Sequence, residues 1–199
     1  MLERRSALTR DAADLQEVSA AQGAPKPPVR IGEVRGFALL QAAAFADTVA
    51  ELERVLRSVL GVDLPKAIGA PTCAGAVRAF RIGPEQFWIA GPEDGWAASL
   101  RQAVPSAIGS ITSLSHARTR LFIEGTRARE VLSKGIALDL HPEVFDLDAC
   151  ALTELQHTPV LLHRIGQERY ELYVLRTYAA WIWEWLTDAV LPLGAAADA

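Results

Sequence analysis

Apolar positions along this chain switch repeatedly between a spacing of two and a spacing of three to four. The switches predict an ordered series of strands and helices. Val34 to Gln41 reads as a strand, with Gly32 and Gly36 near its start. Asp47 or Thr48 can then cap a helix whose apolar face is Val49, Leu52, Val55, Leu56, Val59 and Leu60, and Gly61 stops it. A connection rich in proline and glycine, LPKAIGAPTCAG, leads to VRAFRIGPEQFWIAG, two short strands around the turn Gly83-Pro84-Glu85. A helix from about Gly95 to Val104 closes the first half.

The second half repeats the order. HARTRLFIEG reads as a strand, and Ala128 to Lys134 as a short helix ended by Gly135. A loop containing Pro142 follows, then the hairpin TPVLLHRIGQERYELYVL. The last helix is expected from about Tyr178 to Val190, before Pro192 and Gly194. The two hairpins align at a constant offset, Val77 with Val160 and Arg81 with Arg164 (160 − 77 = 83), and Arg35 meets Arg118 at the same distance. The expected fold class is α+β: pseudo-duplicated strand–helix–hairpin–helix units, with antiparallel sheets covered by helices. Residues 29–193 are expected to form one duplicated domain with halves at about 29–110 and 111–193. Residues 1–28 read as a flexible arm, with three prolines near its end, and residues 194–199 as a disordered tail.

A length of 199 residues, half of them apolar, suits one sizeable core. The net charge of −4 argues against nucleic acid as a partner, because such binders carry a basic stripe. No apolar run is long enough to span a membrane, and the charged N-terminal stretch is not a secretory signal. Two cysteines, Cys73 and Cys150, form no metal-binding pattern and read as thiols in a reducing cytoplasm.

Against that acidic background, LSHARTRLFIEGTRAREVLSKGIALDLHP concentrates positive charge. On a strand, His116, Arg118 and Arg120 share one face. An arginine pair can hold a carboxylate or phosphate, yet no Gly-rich phosphate loop precedes a helix and no carboxylate pair flanks the run. An edge or interface strand carrying charges is the competing reading. The four histidines form no metal motif, and Ser115-His116 point to opposite faces without a nucleophile elbow. No GxGxxG opens a helix, which argues against a dinucleotide site. In YAAWIWEWLTDAV the helical period places Trp181, Ile182, Trp185, Leu186 and Ala189 on the apolar face and leaves Trp183 off it. Trp183 is therefore an interface candidate, with packing under the N-terminal arm as the alternative. No catalytic, cofactor-binding or metal-binding residue is assigned. The interface candidates are Trp183, Arg118, Arg120 and His116.

The blocks LSHARTRLFIEGTRAREVLSKGIALDLHPEVF, ALTELQHTPVLLHRIG and ERYELYVLRTYAAWIWEWL resemble the gamma subunits of heterotetrameric sarcosine oxidases, and FRIGPEQFWIAGP fits their first hairpin. The resemblance implies a fold similar to the folate-binding domain of glycine-cleavage T-protein. It also implies a non-catalytic subunit of an oxidoreductase that demethylates sarcosine to glycine. FAD, FMN, NAD, tetrahydrofolate and zinc would reside in the alpha, beta and delta partner subunits, and none in this chain. Two alternatives stay open: a small subunit of a related N-methylamino-acid dehydrogenase or oxidase, and an autonomous folate-binding one-carbon transfer protein.

Overall fold

A computed structural model describes residues 6–8, 28–61, 63–93 and 95–194. The elements in chain order are β1 (Arg30–Val34), β2 (Phe37–Ala44), α1 (Val49–Leu60), β3 (Thr72–Ala74), β4 (Val77–Gly83), β5 (Gln86–Pro92) and α2 (Trp96–Ala103). They continue with β6 (Gly109–Ser113), β7 (Arg118–Glu124), α3 (Ala128–Ser133), β8 (Cys150–Leu155), β9 (Thr158–Gly166), β10 (Arg169–Leu175) and α4 (Ala179–Gly194). A 3₁₀ turn at Arg176–Tyr178 precedes α4. Most of the expected arm and the tail beyond Gly194 lie outside the described residues. Within the arm, Leu8 is buried, and the Ser6 hydroxyl donates to Glu33 at 2.7 Å.

Two five-stranded antiparallel sheets result. Their orders are β3-β4-β5-β2-β6 and β8-β9-β10-β7-β1. The orders correspond position by position, and the 83-residue offset recurs in the elements: β5 and β10 start at Gln86 and Arg169 (169 − 86 = 83), α2 and α4 at Trp96 and Ala179 (179 − 96 = 83). The offset even reproduces a hydrogen bond. Arg81 Nη2 donates to the Pro84 carbonyl, and Arg164 Nη2 to the Gln167 carbonyl, each arginine tying down the turn of its own hairpin.

The strand expected at Val34–Gln41 is two strands. Gly36, at φ +65°, breaks the extended run in a conformation that only glycine adopts without cost, so β1 and β2 enter different sheets. β6 does the same ahead of β7. Each sheet therefore takes its fifth strand from the segment that precedes the other sheet's matching strand. The compact units follow this exchange. One holds the described residues up to Arg35, Thr119–Leu147 and the described residues from Leu152 on; the other holds the described residues of Gly36–Arg118 and Asp148–Ala151. The boundary expected near residue 110 marks the sequence repeat, whereas the compact units change over at Gly36 and Arg118.

In the second of these units, Leu40, Ala42, Leu52, Leu56, Phe87, Ile89 and Leu100 form a core with no residual exposure. Burying each leucine is worth about 1.5–3 kcal/mol. The helix α1 stops as its sequence dictates, with Gly61 in the left-handed conformation and its N–H donating to the Arg57 carbonyl. Its N-cap differs from the expectation: the Thr48 hydroxyl makes no bond to the first turn and donates instead to the Ile108 carbonyl beside β6.

In the first unit, β10 is buried along Tyr170–Val174, as a central strand covered on both faces is. At the end of β7, Gly125 sits at φ +125° with its N–H donating to the Glu168 carbonyl. A Cβ there would lie 2.3 Å from the Pro28 carbonyl oxygen, so the position requires glycine on both counts.

Candidate functional site

Strand β7 carries the front of the basic segment, and its side chains alternate as the strand period demands. Thr119, Leu121 and Ile123 are buried, while Arg118, Arg120, Phe122 and Glu124 share the other face. The strand is not an edge, however. It lies between β1 and β10, so both of its backbone edges are paired and only its side chains remain to interact.

Those side chains are largely engaged by β1 and β10. Arg120 Nε and Nη2 grip the Glu171 carboxylate bidentately, at 2.9 Å to Oε2 and 2.7 Å to Oε1. The Arg120 side chain is 12% exposed and that of Glu171 3%. The guanidinium also lies 5.5 Å from the centre of the Tyr173 ring. Four residues further along β7, Glu124 takes Arg30 from β1 at 3.1 Å and Arg169 from β10 at 2.6 Å. Phe122 sits between these ion pairs. The Arg169 guanidinium lies 4.7 Å from its ring centre, and its edge occupies the space a Cβ on Gly32 would need. Three strands are thus cross-linked by a ladder of alternating sign. The carboxylates that sequence reading did not find beside the basic run come from the adjacent strand and from β7 itself.

Two of the later basic residues are also engaged. Arg127 pairs with Glu130 one helical turn on, at 2.7 Å. Lys134 donates to the Ala189 carbonyl at 3.2 Å. These exposed pairs contribute little to stability.

Arg118 and His116 behave differently, and both belong to the other compact unit. Arg118 lies 5.1 Å from the ring centre of Trp88, a buried residue whose indole N–H donates to Gln41 Oε1 at 3.1 Å. Burial pushes the Arg118 pKa down from its ordinary value. Among the described residues it has no carboxylate partner; its hydrogen bond goes to its neighbour's carbonyl, Ala117. His116 stands exposed in the turn just before β7. The structure therefore separates the predicted cluster. Arg120 is consumed inside one unit, while Arg118 and His116 remain available in the other.

Helix α4 reverses the assignment of its tryptophans. Trp183, expected off the core face, is 6% exposed and falls on a buried stripe with Ala179, Ile182, Leu186 and Leu193. Trp181, expected in the core, is 44% exposed. The helix carries enough apolar residues for two candidate faces, and tertiary packing selects the one centred between Ile182 and Trp183. Pro192 does not end the helix, which runs on to Gly194.

Both cysteines are free: Cys73 is exposed and Cys150 buried. Burial pushes the Cys150 thiol up to about 11, far from a nucleophile's range. Among the described residues, no group of three or more His, Cys, Asp or Glu side chains is placed to hold a metal ion, and no helix is long and apolar enough to cross a membrane.

Comparisons with known proteins fit this arrangement. The family model described as sarcosine oxidase, gamma subunit family, matches residues 42–191. The chain is 32% identical over 145 residues to the sarcosine oxidase subunit gamma of Corynebacterium sp. (strain U-96), covering 71% of this chain and 70% of that one. It is 31% identical over 170 residues to its counterpart from Arthrobacter sp., covering 80% and 83%. Among solved structures it is similar to a chain of the heterotetrameric sarcosine oxidase from Corynebacterium sp. U-96 in complex with pyrrole 2-carboxylate. That match has a TM-score of 0.84, 28% identity and 96% coverage of both chains. The fold is also shared with the glycine cleavage system aminomethyltransferase T from Bartonella henselae, with a TM-score of 0.59 and 15% identity over 79% of this chain and 45% of that one. The expected α+β, T-protein-like architecture is the observed one.

Proposed function

The chain belongs to the sarcosine oxidase gamma subunit family, and from that premise we propose that it is the non-catalytic gamma subunit of a four-chain enzyme that oxidatively demethylates sarcosine to glycine. The observation that carries this reading is the fate of the basic segment. Arg120, only 12% exposed, spends its fork on Glu171 and holds strands together. That leaves a scaffold in place of an anion-binding pocket. Arg120, so committed, does not also fork onto the acidic tail of a folate.

In this reading FAD, FMN, NAD, tetrahydrofolate and zinc belong to alpha, beta and delta partners, and the assembly works in the cytoplasm, where the free thiols of Cys73 and Cys150 persist. Calorimetric titration of the purified chain with tetrahydrofolate tests the division of labour. No heat is expected; saturable binding to this chain alone would overturn it.

Arg118, held over Trp88 and short of a carboxylate, is proposed to meet an acidic group on a partner, with His116 beside it in sequence. Arg118→Ala should slow association with the partner subunits by about two- to tenfold at low salt, since charges at an interface act mainly on encounter. The difference should shrink at about 1 M salt, where the screening length falls to about 3 Å. Equal rates for the variant and the native chain at low salt would remove the docking role.

A further inference from the structure

The outward face of α4 is built differently from an ordinary solvated helix face. Trp181, Trp185 and Asp188 project within about 60° of one another at 100° per residue, with Glu184 on the flank. Tyr178 precedes them from the 3₁₀ turn. Tyr178 is 47% exposed and Trp181 44%, and both Glu184 and Asp188 are exposed. Trp185 is half-buried because its ring edge lies over Gly135, where a Cβ would come within 2.8 Å of it. Among the described residues neither Glu184 nor Asp188 has an ion-pair partner. The helix itself contains no lysine or arginine. The nearest cation known to touch it, Lys134, is bound to the Ala189 carbonyl.

Three aromatic rings and two unpaired carboxylates on one surface are a specific chemical combination. A guanidinium satisfies both parts of it, stacking on an indole face while forking onto a carboxylate. Apolar groups around that cation would cover the remaining ring area. Tryptophan and tyrosine are also the residues that dominate interface energetics when a partner excludes water from them. We propose that this face of α4, centred on Trp181 with Glu184 and Asp188, docks an arginine-bearing apolar surface of another subunit of the sarcosine oxidase assembly. This inference rests on the subunit reading above and assigns it a surface. That surface is acidic and aromatic, opposite in sign to the Arg118 site.

The test is co-expression of the chain with tagged partner subunits from the flanking genes, measuring how much chain is retained on the tag. Trp181→Ala should weaken retention about tenfold or more, the scale of a hot-spot loss. The double reversal Glu184→Arg with Asp188→Arg should do the same without touching the core. Ile68→Ala, an exposed apolar residue in the other unit, should leave retention unchanged. If the native chain is retained and both α4 variants are retained equally well, the inference is overturned while the subunit reading stands. If the native chain is not retained at all, the subunit reading fails and the inference falls with it. If the native chain alone is a dimer that these variants dissociate, the occupant is a second copy and the inference is overturned. Should Trp181→Ala prevent folding of the free chain, the charge reversal decides alone.

Discussion

Glu171→Ala is expected to lower the unfolding free energy of the chain by about 3–5 kcal/mol, because it leaves the Arg120 guanidinium buried without its counter-ion. Urea denaturation followed by tryptophan fluorescence measures this directly. The cost comes from the stranded charge more than from the lost attraction. Replacing both partners with apolar residues of similar size, Arg120→Met with Glu171→Leu, should therefore be close to neutral. That contrast separates two roles. If the pair fixes which residues of β7 and β10 face each other, the double variant stays stable while its sheet becomes less specific. If Arg120 were a docking residue, either single change would spare the free chain and damage assembly instead.

Trp183→Ala should cost about 3–5 kcal/mol, the scale for emptying a buried tryptophan site. The indole N–H of Trp183 is buried without a hydrogen-bond partner among the described residues, so the ring contributes volume and apolar surface alone. Trp183→Phe should accordingly recover much of the loss, which a urea series on the three proteins would show. Trp181→Ala in the same assay should change stability by less than about 1 kcal/mol, since that ring is already half in water. The reverse order would return Trp183 to the surface and Trp181 to the core.

The legible part of this fold was its interior. Among the described residues, strands β4, β5, β7, β9 and β10 and helices α1 to α4 announce themselves by period, by capping glycines and by the 83-residue offset. The pattern missed β3, β6 and β8 and merged β1 with the central strand β2; β1, β3, β6 and β8 are each the edge of a sheet. Edge strands have one free side and one partner, so they tolerate short, polar or glycine-bearing sequences such as Thr72–Ala74 and Gly109–Ser113. Missing the edges also hid the strand exchange, because β1 and β6 are the segments that change sheets.

The interface candidates were less legible for a different reason. Sequence placed Arg118 and Arg120 on one face correctly, but it could not show that Glu171 stands across from one and not the other. The alternation in RYELYVL carried that signal: Arg169, Glu171 and Tyr173 point the same way, on a strand paired beside β7. In α4 nearly every position is apolar, so a one-dimensional period could not choose between the stripes through Trp181 and Trp183. Packing made that choice.

The most direct test of the subunit assignment is to express the flanking partner genes with and without this chain and assay each purified product for sarcosine-dependent peroxide formation and flavin absorbance. With the chain present, a four-chain, flavin-bearing, active complex is expected; the chain alone should be colourless and inactive. Without it, the partners should fail to assemble stably and lose activity. A fully active, stable complex that forms equally well in its absence would contradict the account.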